Sequence, residues 1–100
     1  MLKKDLIELC LFHLLMQKDL YGYEILNQMY ESFPDTQESA IYAELRALCR
    51  NGYTVQYQGE VSGGPTRKYY QITETGKEKY QKLLIEWRRL RDTINTLGIE

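Results

Sequence analysis

The last quarter of the chain limits the fold most. Tyr80, Trp87 and Ile94 recur every seven residues, and Leu83, Leu90 and Leu97 repeat that spacing three positions later. Apolar residues in this a/d arrangement form one stripe along a helix, which Leu84 widens. Lys82, Glu86, Arg88, Arg89 and Asp92 fall off the stripe. The spacing predicts a helix from Glu74 or Thr75 to Leu97, roughly 35 Å long at ~1.5 Å per residue. A chain of 100 residues holds one modest core, too small to cover a helix of that length. The stripe is therefore expected to meet a second copy of the chain, with Tyr80, Leu83, Leu84, Trp87, Leu90, Ile94 and Leu97 as dimer contacts.

Upstream, the chain reads as three helices and a hairpin. Leu6, Ile7, Leu9, Cys10, Leu11, Leu14 and Leu15 keep helical spacing from Asp5 to Gln17 and occupy most of the helix circumference, which predicts burial on several sides. A second helix is expected from about Tyr23 to Ser32, ended by Phe33-Pro34, because a residue preceding proline is pushed out of helical geometry. Asp35 and Glu38 have the spacing of a capping box for a third helix, about Thr36 to Arg50. Asn51-Gly52 supplies its left-handed terminus. Tyr53 to Gln58 and Lys68 to Thr73 alternate like strands around the turn-rich Gly59 to Thr66, an expected two-stranded hairpin with an extended tip. The expected fold class is mainly α with a small β hairpin: a winged helix-turn-helix over residues 1–74, plus a long C-terminal dimerisation helix over residues 75–100.

The third helix has two faces. On a wheel of about 100° per residue, Ile41, Leu45, Leu48 and Cys49 gather on one side. Thr36, Ser39, Ala43, Arg46 and Arg50 lie opposite. A helix that enters the major groove needs small residues for close approach, and hydroxyls or arginines to reach base edges and phosphates. The hairpin tip ends in Arg67 and Lys68, and a basic tip of this kind can follow the backbone or enter a minor groove. The 13 basic and 14 acidic side chains leave a formal charge of -1, so net charge gives no support to nucleic-acid binding. The positive groups must act by clustering.

Other chemistries find little footing. His13 is the only histidine and lies in an apolar helix. No catalytic triad, zinc spacing or phosphate loop is present, so neither an enzyme, a metal site nor a cofactor is expected. Cys10 and Cys49, without close spacing, read as small buried hydrophobes in a reducing, cytoplasmic setting. The apolar run after Lys3 and Lys4 is interrupted by Asp5, Glu8 and His13, and Gln17-Lys18-Asp19 replaces a cleavage site. No targeting segment or membrane span is expected.

Four motifs together resemble the PadR family of bacterial transcriptional regulators: Tyr21-Gly22-Tyr23-Glu24-Ile25, Ile41 to Leu48, Asn51-Gly52-Tyr53 and Arg67 to Gly76. The resemblance runs in order from about Leu6 to Leu97, and the single terminal helix is similar to the family's small branch. It implies a homodimeric repressor of nearby genes that binds palindromic double-stranded DNA. It implies that the segment from Thr36 to Arg46, including Gln37, Ser39, Ala40 and Ala43, reads the major groove. Tyr42 would contact phosphate or orient that helix, Arg67 and Lys68 would be the wing contacts, and Tyr70 would be structural. In multidrug-sensing relatives a tryptophan at the place of Trp87 lines a pore at the dimer interface. Trp87 with Leu11 and Leu15 is thus the candidate pocket for a small hydrophobic or aromatic effector, against the plainer reading of Trp87 as interface packing. The rival functional class is a winged helix that binds protein, as an anti-repressor or switch, without specific DNA binding.

Overall fold

The chain is described by a computed structural model over residues 1–59 and 64–99. In order, it forms α1 (Lys3–Gln17), β1 (Leu20–Tyr21), α2 (Gly22–Ser32), α3 (Glu38–Arg50), β2 (Thr54–Gly59), β3 (Arg67–Ile72) and α4 (Glu74–Thr96). Residues 60–63, the centre of the expected hairpin tip, lie outside the described residues.

Helix α1 is the hub. Leu11 and Phe12 are fully buried, as are Ile25 of α2 and Leu45 of α3. The core they form draws in Met29, Ile41, Leu48, Tyr70, Ile72, Tyr80 and Leu83. Full burial of aliphatic side chains stabilises by about 1.5–3 kcal/mol each, so one helix apolar over most of its circumference can hold several neighbours. Glu8 is also buried, at 8% exposure. Desolvation pushes its carboxyl above the usual value of 4.5, Lys79 pulls it back, and Glu44 and Asp5 push it up again, with Lys4 opposing weakly.

The end of α3 and the start of α4 are locked together. Gly52, at φ +77°, takes the left-handed position expected of it. Its N–H donates to the Cys49 carbonyl at 3.1 Å, and the Tyr53 N–H donates to the Leu48 carbonyl at 2.9 Å. This pair of bonds is a Schellman terminus. Thr73 caps α4: its hydroxyl oxygen accepts from the Gly76 N–H at 3.0 Å and donates to the Gly52 carbonyl at 2.7 Å. Gly76 is required here, because a Cβ at that place would run into the carbonyl oxygen of Tyr53.

Two expectations change. The hairpin is part of a three-stranded antiparallel sheet in the order β1-β3-β2, because Leu20 and Tyr21, between the expected first and second helices, pair with Tyr70 and Tyr69. The third helix begins at Glu38, not Thr36, and its N-cap is Gln37 with no side-chain cap. The capping box of Asp35 and Glu38 does not form, since the Thr36 N–H donates to the Phe33 carbonyl at 3.0 Å and closes a turn that takes in Asp35.

The described residues extend 55 × 29 × 21 Å with a radius of gyration of 15.0 Å. A compact chain of this length would give about 13 Å. The excess comes from α4, whose far half projects from the rest of the chain.

Candidate nucleic-acid interface

Helix α3 separates its faces as the wheel predicts. Ile41, Leu45 and Leu48 are buried, while Gln37, Ser39, Ala40, Ala43, Arg46 and Arg50 are exposed. Cys49 is half-buried, with its Sγ 3.1 Å from the Thr54 hydroxyl of β2. After Gln37 and Glu38 at its start, the outward surface offers only the small side chains of Ser39, Ala40 and Ala43, with two guanidinium groups behind. Without a side-chain cap, the first amide donors of α3 remain available to water or phosphate.

Two residues of the expected reading segment are placed differently. Thr36 precedes the helix, and its hydroxyl oxygen is buried without a hydrogen-bond partner. It is turned inward, away from the exposed face. Tyr42 is half-buried. Its ring rests on Gly22, where a Cβ would stand 3.4 Å from Cε1. The Tyr42 ring thus packs at ordinary contact distance against the glycine that opens α2.

The wing stands beside this helix. Arg46 shares an open depression with Val55 and Gln56 at the foot of β2. The Gln56 side-chain amide donates to the Tyr70 hydroxyl at 3.0 Å, and Tyr70 is buried at 6% exposure. Burial pushes the Tyr70 phenol above its ordinary value, whereas the Gln56 bond and the nearby Arg46 pull it down. Tyr70 is a structural residue that ties wing to helix. Arg67 and Lys68, at the start of β3, are both exposed.

The outer face of the sheet carries an aromatic row unseen in the sequence pattern. Tyr21 meets Tyr69 edge to face at 5.8 Å, and Tyr69 stacks on Tyr57 at 5.5 Å. The Tyr57 hydroxyl donates to Asp19 at 2.6 Å, and the Gln71 amide donates to the same carboxylate oxygen at 3.2 Å. That bond to Asp19 is the first cause holding the Tyr57 phenol above its usual value. The signal available beforehand was the tyrosine content of the strands, but the ring at Tyr21 comes from a strand too short to show alternation.

Away from this surface, α1, α2 and α4 enclose an apolar groove of about 280 Å³, lined by Leu9, Cys10, Leu14, Met29, Leu84 and Trp87 among others. His13 Nδ1 lies 3.0 Å from the Tyr80 hydroxyl in the same wall. Burial raises the Cys10 thiol above its ordinary value, which keeps it protonated and unreactive. Trp87 lines this groove. Leu11 and Leu15 do not: at 0% and 3% exposure they point into the protomer core, and the neighbouring face of α1 takes their place. Tyr80 and Leu83 also depart from the expected dimer surface, since at 8% and 4% exposure they are buried within their own protomer. Leu84, Trp87, Leu90 and Ile94 are partly exposed, and Leu97 is 72% exposed. Among the described residues no cluster suited to a metal ion occurs, and no helix is long and apolar enough to cross a membrane.

Comparison with known proteins agrees with this architecture. A crystal structure from Streptococcus mutans UA159 superposes with a TM-score of 0.87 at 31% identity, covering 96% of this chain and 89% of the other. A PadR-like transcriptional regulator from Bacillus cereus gives a TM-score of 0.83 at 30% identity, over 90% and 88% of the two chains. A PadR family transcription regulator from Clostridium difficile R20291 gives 0.82 at 30% identity, over 91% and 96%. A Lysinibacillus sphaericus protein described as "Uncharacterized protein X" is 34% identical over 103 residues, spanning 95% of this chain and 94% of that protein. Residues 11–82 match the family described as "Transcriptional regulator PadR-like family", and the chain belongs to that family of DNA-binding transcriptional regulators.

Proposed function

We propose that the chain acts as a homodimeric, ligand-responsive repressor on a palindromic operator. The observation that carries this reading is the outward face of α3. Ser39, Ala40 and Ala43 keep that face low, Arg46 and Arg50 stand behind, and Arg67 and Lys68 are exposed at the start of β3 in the wing. Small residues admit the helix to the major groove and arginine reads guanine or holds phosphate, so Gln37, Ser39, Ala40, Ala43 and Arg46 form the reading set. Tyr42 orients α3, while Arg67 and Lys68 fix the register on the backbone.

Dimerisation supplies the second reading head. Residues 75–100 are the coupling segment, with Trp87, Leu90, Ile94 and Leu97 presenting apolar surface that a second α4 would remove from water. Two-fold heads fit half-sites about 34–36 Å apart. An aromatic effector in the Trp87 groove would act by favouring one separation of the heads, which requires unequal affinity for the two arrangements. The protein works in the cytoplasm, where the operator lies.

Selection of binding sites from random duplex DNA tests the reading, followed by affinity at several salt concentrations. The expected result is a palindrome, a steep fall of affinity with salt and a loss of about 1–3 kcal/mol per half-site for Arg46→Ala. No enriched sequence from an intact dimer would favour the protein-binding alternative, for which the formal charge of -1 speaks.

A further inference from the structure

Among the described residues no carboxylate pairs with Arg67. Its guanidinium carbon instead lies over the Tyr21 ring, 4.4 Å from the centroid. That ring is itself held. Tyr21 sits in β1, its backbone registered with Tyr69 and its ring set edge-on to the Tyr69 ring. The row ends at Tyr57, which Asp19 anchors by a 2.6 Å hydrogen bond. Gly59 leaves the space the Tyr69 ring occupies, since a Cβ there would collide with it. Residues just after α1 thus build a platform under a cation that belongs to the wing.

A cation over a ring face is held by the ring quadrupole, and this contact consumes none of the five N–H donors of a guanidinium. The contact itself leaves those donors for a phosphate while it confines the long side chain. We infer that Tyr21 is a positioning residue for DNA binding: it holds Arg67 over the sheet face in the free protein so that the guanidinium meets the backbone already placed. Tyr21 need not touch DNA to do so. This rests on the DNA-binding reading above, and deepens it by naming what orients one of its contacts.

The test uses the full chain on its selected operator, comparing wild type with Tyr21→Phe, Tyr21→Leu and each of these combined with Arg67→Ala. A cation–π contact at an exposed site corresponds to about two- to fivefold in affinity per protomer. Tyr21→Leu is expected to weaken binding by that factor and to make the salt slope shallower by up to about one per protomer. Tyr21→Phe, which keeps the ring, is expected to bind like wild type. With Arg67→Ala already present, Tyr21→Leu should change affinity less than about 1.5-fold, because Tyr21 acts through Arg67.

A second measurement needs no DNA. Proton NMR of the free protein should show the Arg67 side-chain methylene protons shifted upfield by the Tyr21 ring, in wild type and in Tyr21→Phe. Absence of that shift in wild type overturns the inference, even where Tyr21→Leu fails to fold. So does unchanged or tighter binding by Tyr21→Leu while wild type binds normally, or a full loss that persists in the Arg67→Ala background. Failure of wild type to bind any duplex would instead remove the DNA-binding reading itself, and this proposal with it.

Discussion

The two halves of α4 have the same apolar spacing and opposite fates. In the first half, Gly76, Tyr80 and Leu83 are buried, and the helix start is tied to the end of α3 through Thr73, Gly52 and Tyr53. In the second half Leu90 and Ile94 are partly exposed, and just beyond it the C-cap Leu97 and Ile99 are 72% and 58% exposed, although Leu90 and Leu97 continue the register set by Leu83. A heptad repeat reports only that one side of a helix is apolar. Whether that side meets the same chain or another depends on how far the core reaches, and here it reaches as far as Leu83 and the partly covered Leu84 and Trp87. The near half is part of the domain, and the far half is unfinished surface.

Substitutions can break this division at either end. The largest effect is expected for Leu83→Ala, a buried deletion that should cost about 2–5 kcal/mol. Urea unfolding at several protein concentrations should show that loss at all of them. If the loss vanished on dilution, Leu83 would belong to the interface after all. Gly76→Ala should cost about 1–3 kcal/mol, because the added methyl meets the backbone of Tyr53 and the joint must open. Ile94→Glu is expected to change the unfolding of the isolated protomer by about 0.5 kcal/mol or less, yet to halve the mass seen in sedimentation and abolish operator binding. A dimer that survives it would move the interface elsewhere.

The smallest effect concerns Glu8, buried on α1 within the field of Lys79 on the near half of α4. Its carboxyl titrates above 4.5 when folded. The folded state therefore holds the proton more tightly than the unfolded chain, and stability from this group is full below the unfolded pKa and is lost as pH rises through the folded one. Glu8→Gln should raise stability at neutral pH and remove the fall in melting temperature that Glu8 contributes as pH rises from about 4 to about 7. A decrease at neutral pH would mean that the attraction to Lys79 outweighs desolvation.

Much of this was readable in advance because it depends on local periodicity. The inner row Ile41, Leu45 and Leu48, the Gly52 terminus and the α4 stripe each follow from residues within a few turns of one another. What escaped depends on distant partners. β1 is two residues long, too short to alternate, and its pairing with β3 spans half the chain. α1 is apolar over most of its circumference, so no wheel could tell that Leu11 and Leu15 face the core while Leu9, Cys10 and Leu14 line the groove. The expected Asp35–Glu38 cap lost to a turn closed by Phe33. The placement of Arg67 over Tyr21 is a contact between two strands that the sequence pattern does not announce.

That short strand bears on the order in which the molecule assembles. The β2–β3 pairing runs from Gly59 with Arg67 to Thr54 with Ile72, a local hairpin whose closure on its own takes microseconds. Joining Leu20 to Tyr70 closes a far longer loop, whose entropy must be met before the two-residue pairing returns anything. β1 should therefore zip late, with the wing already formed. Conservative changes at Leu20 and Tyr21 should speed unfolding while leaving the refolding rate nearly untouched, whereas changes inside the hairpin should slow refolding.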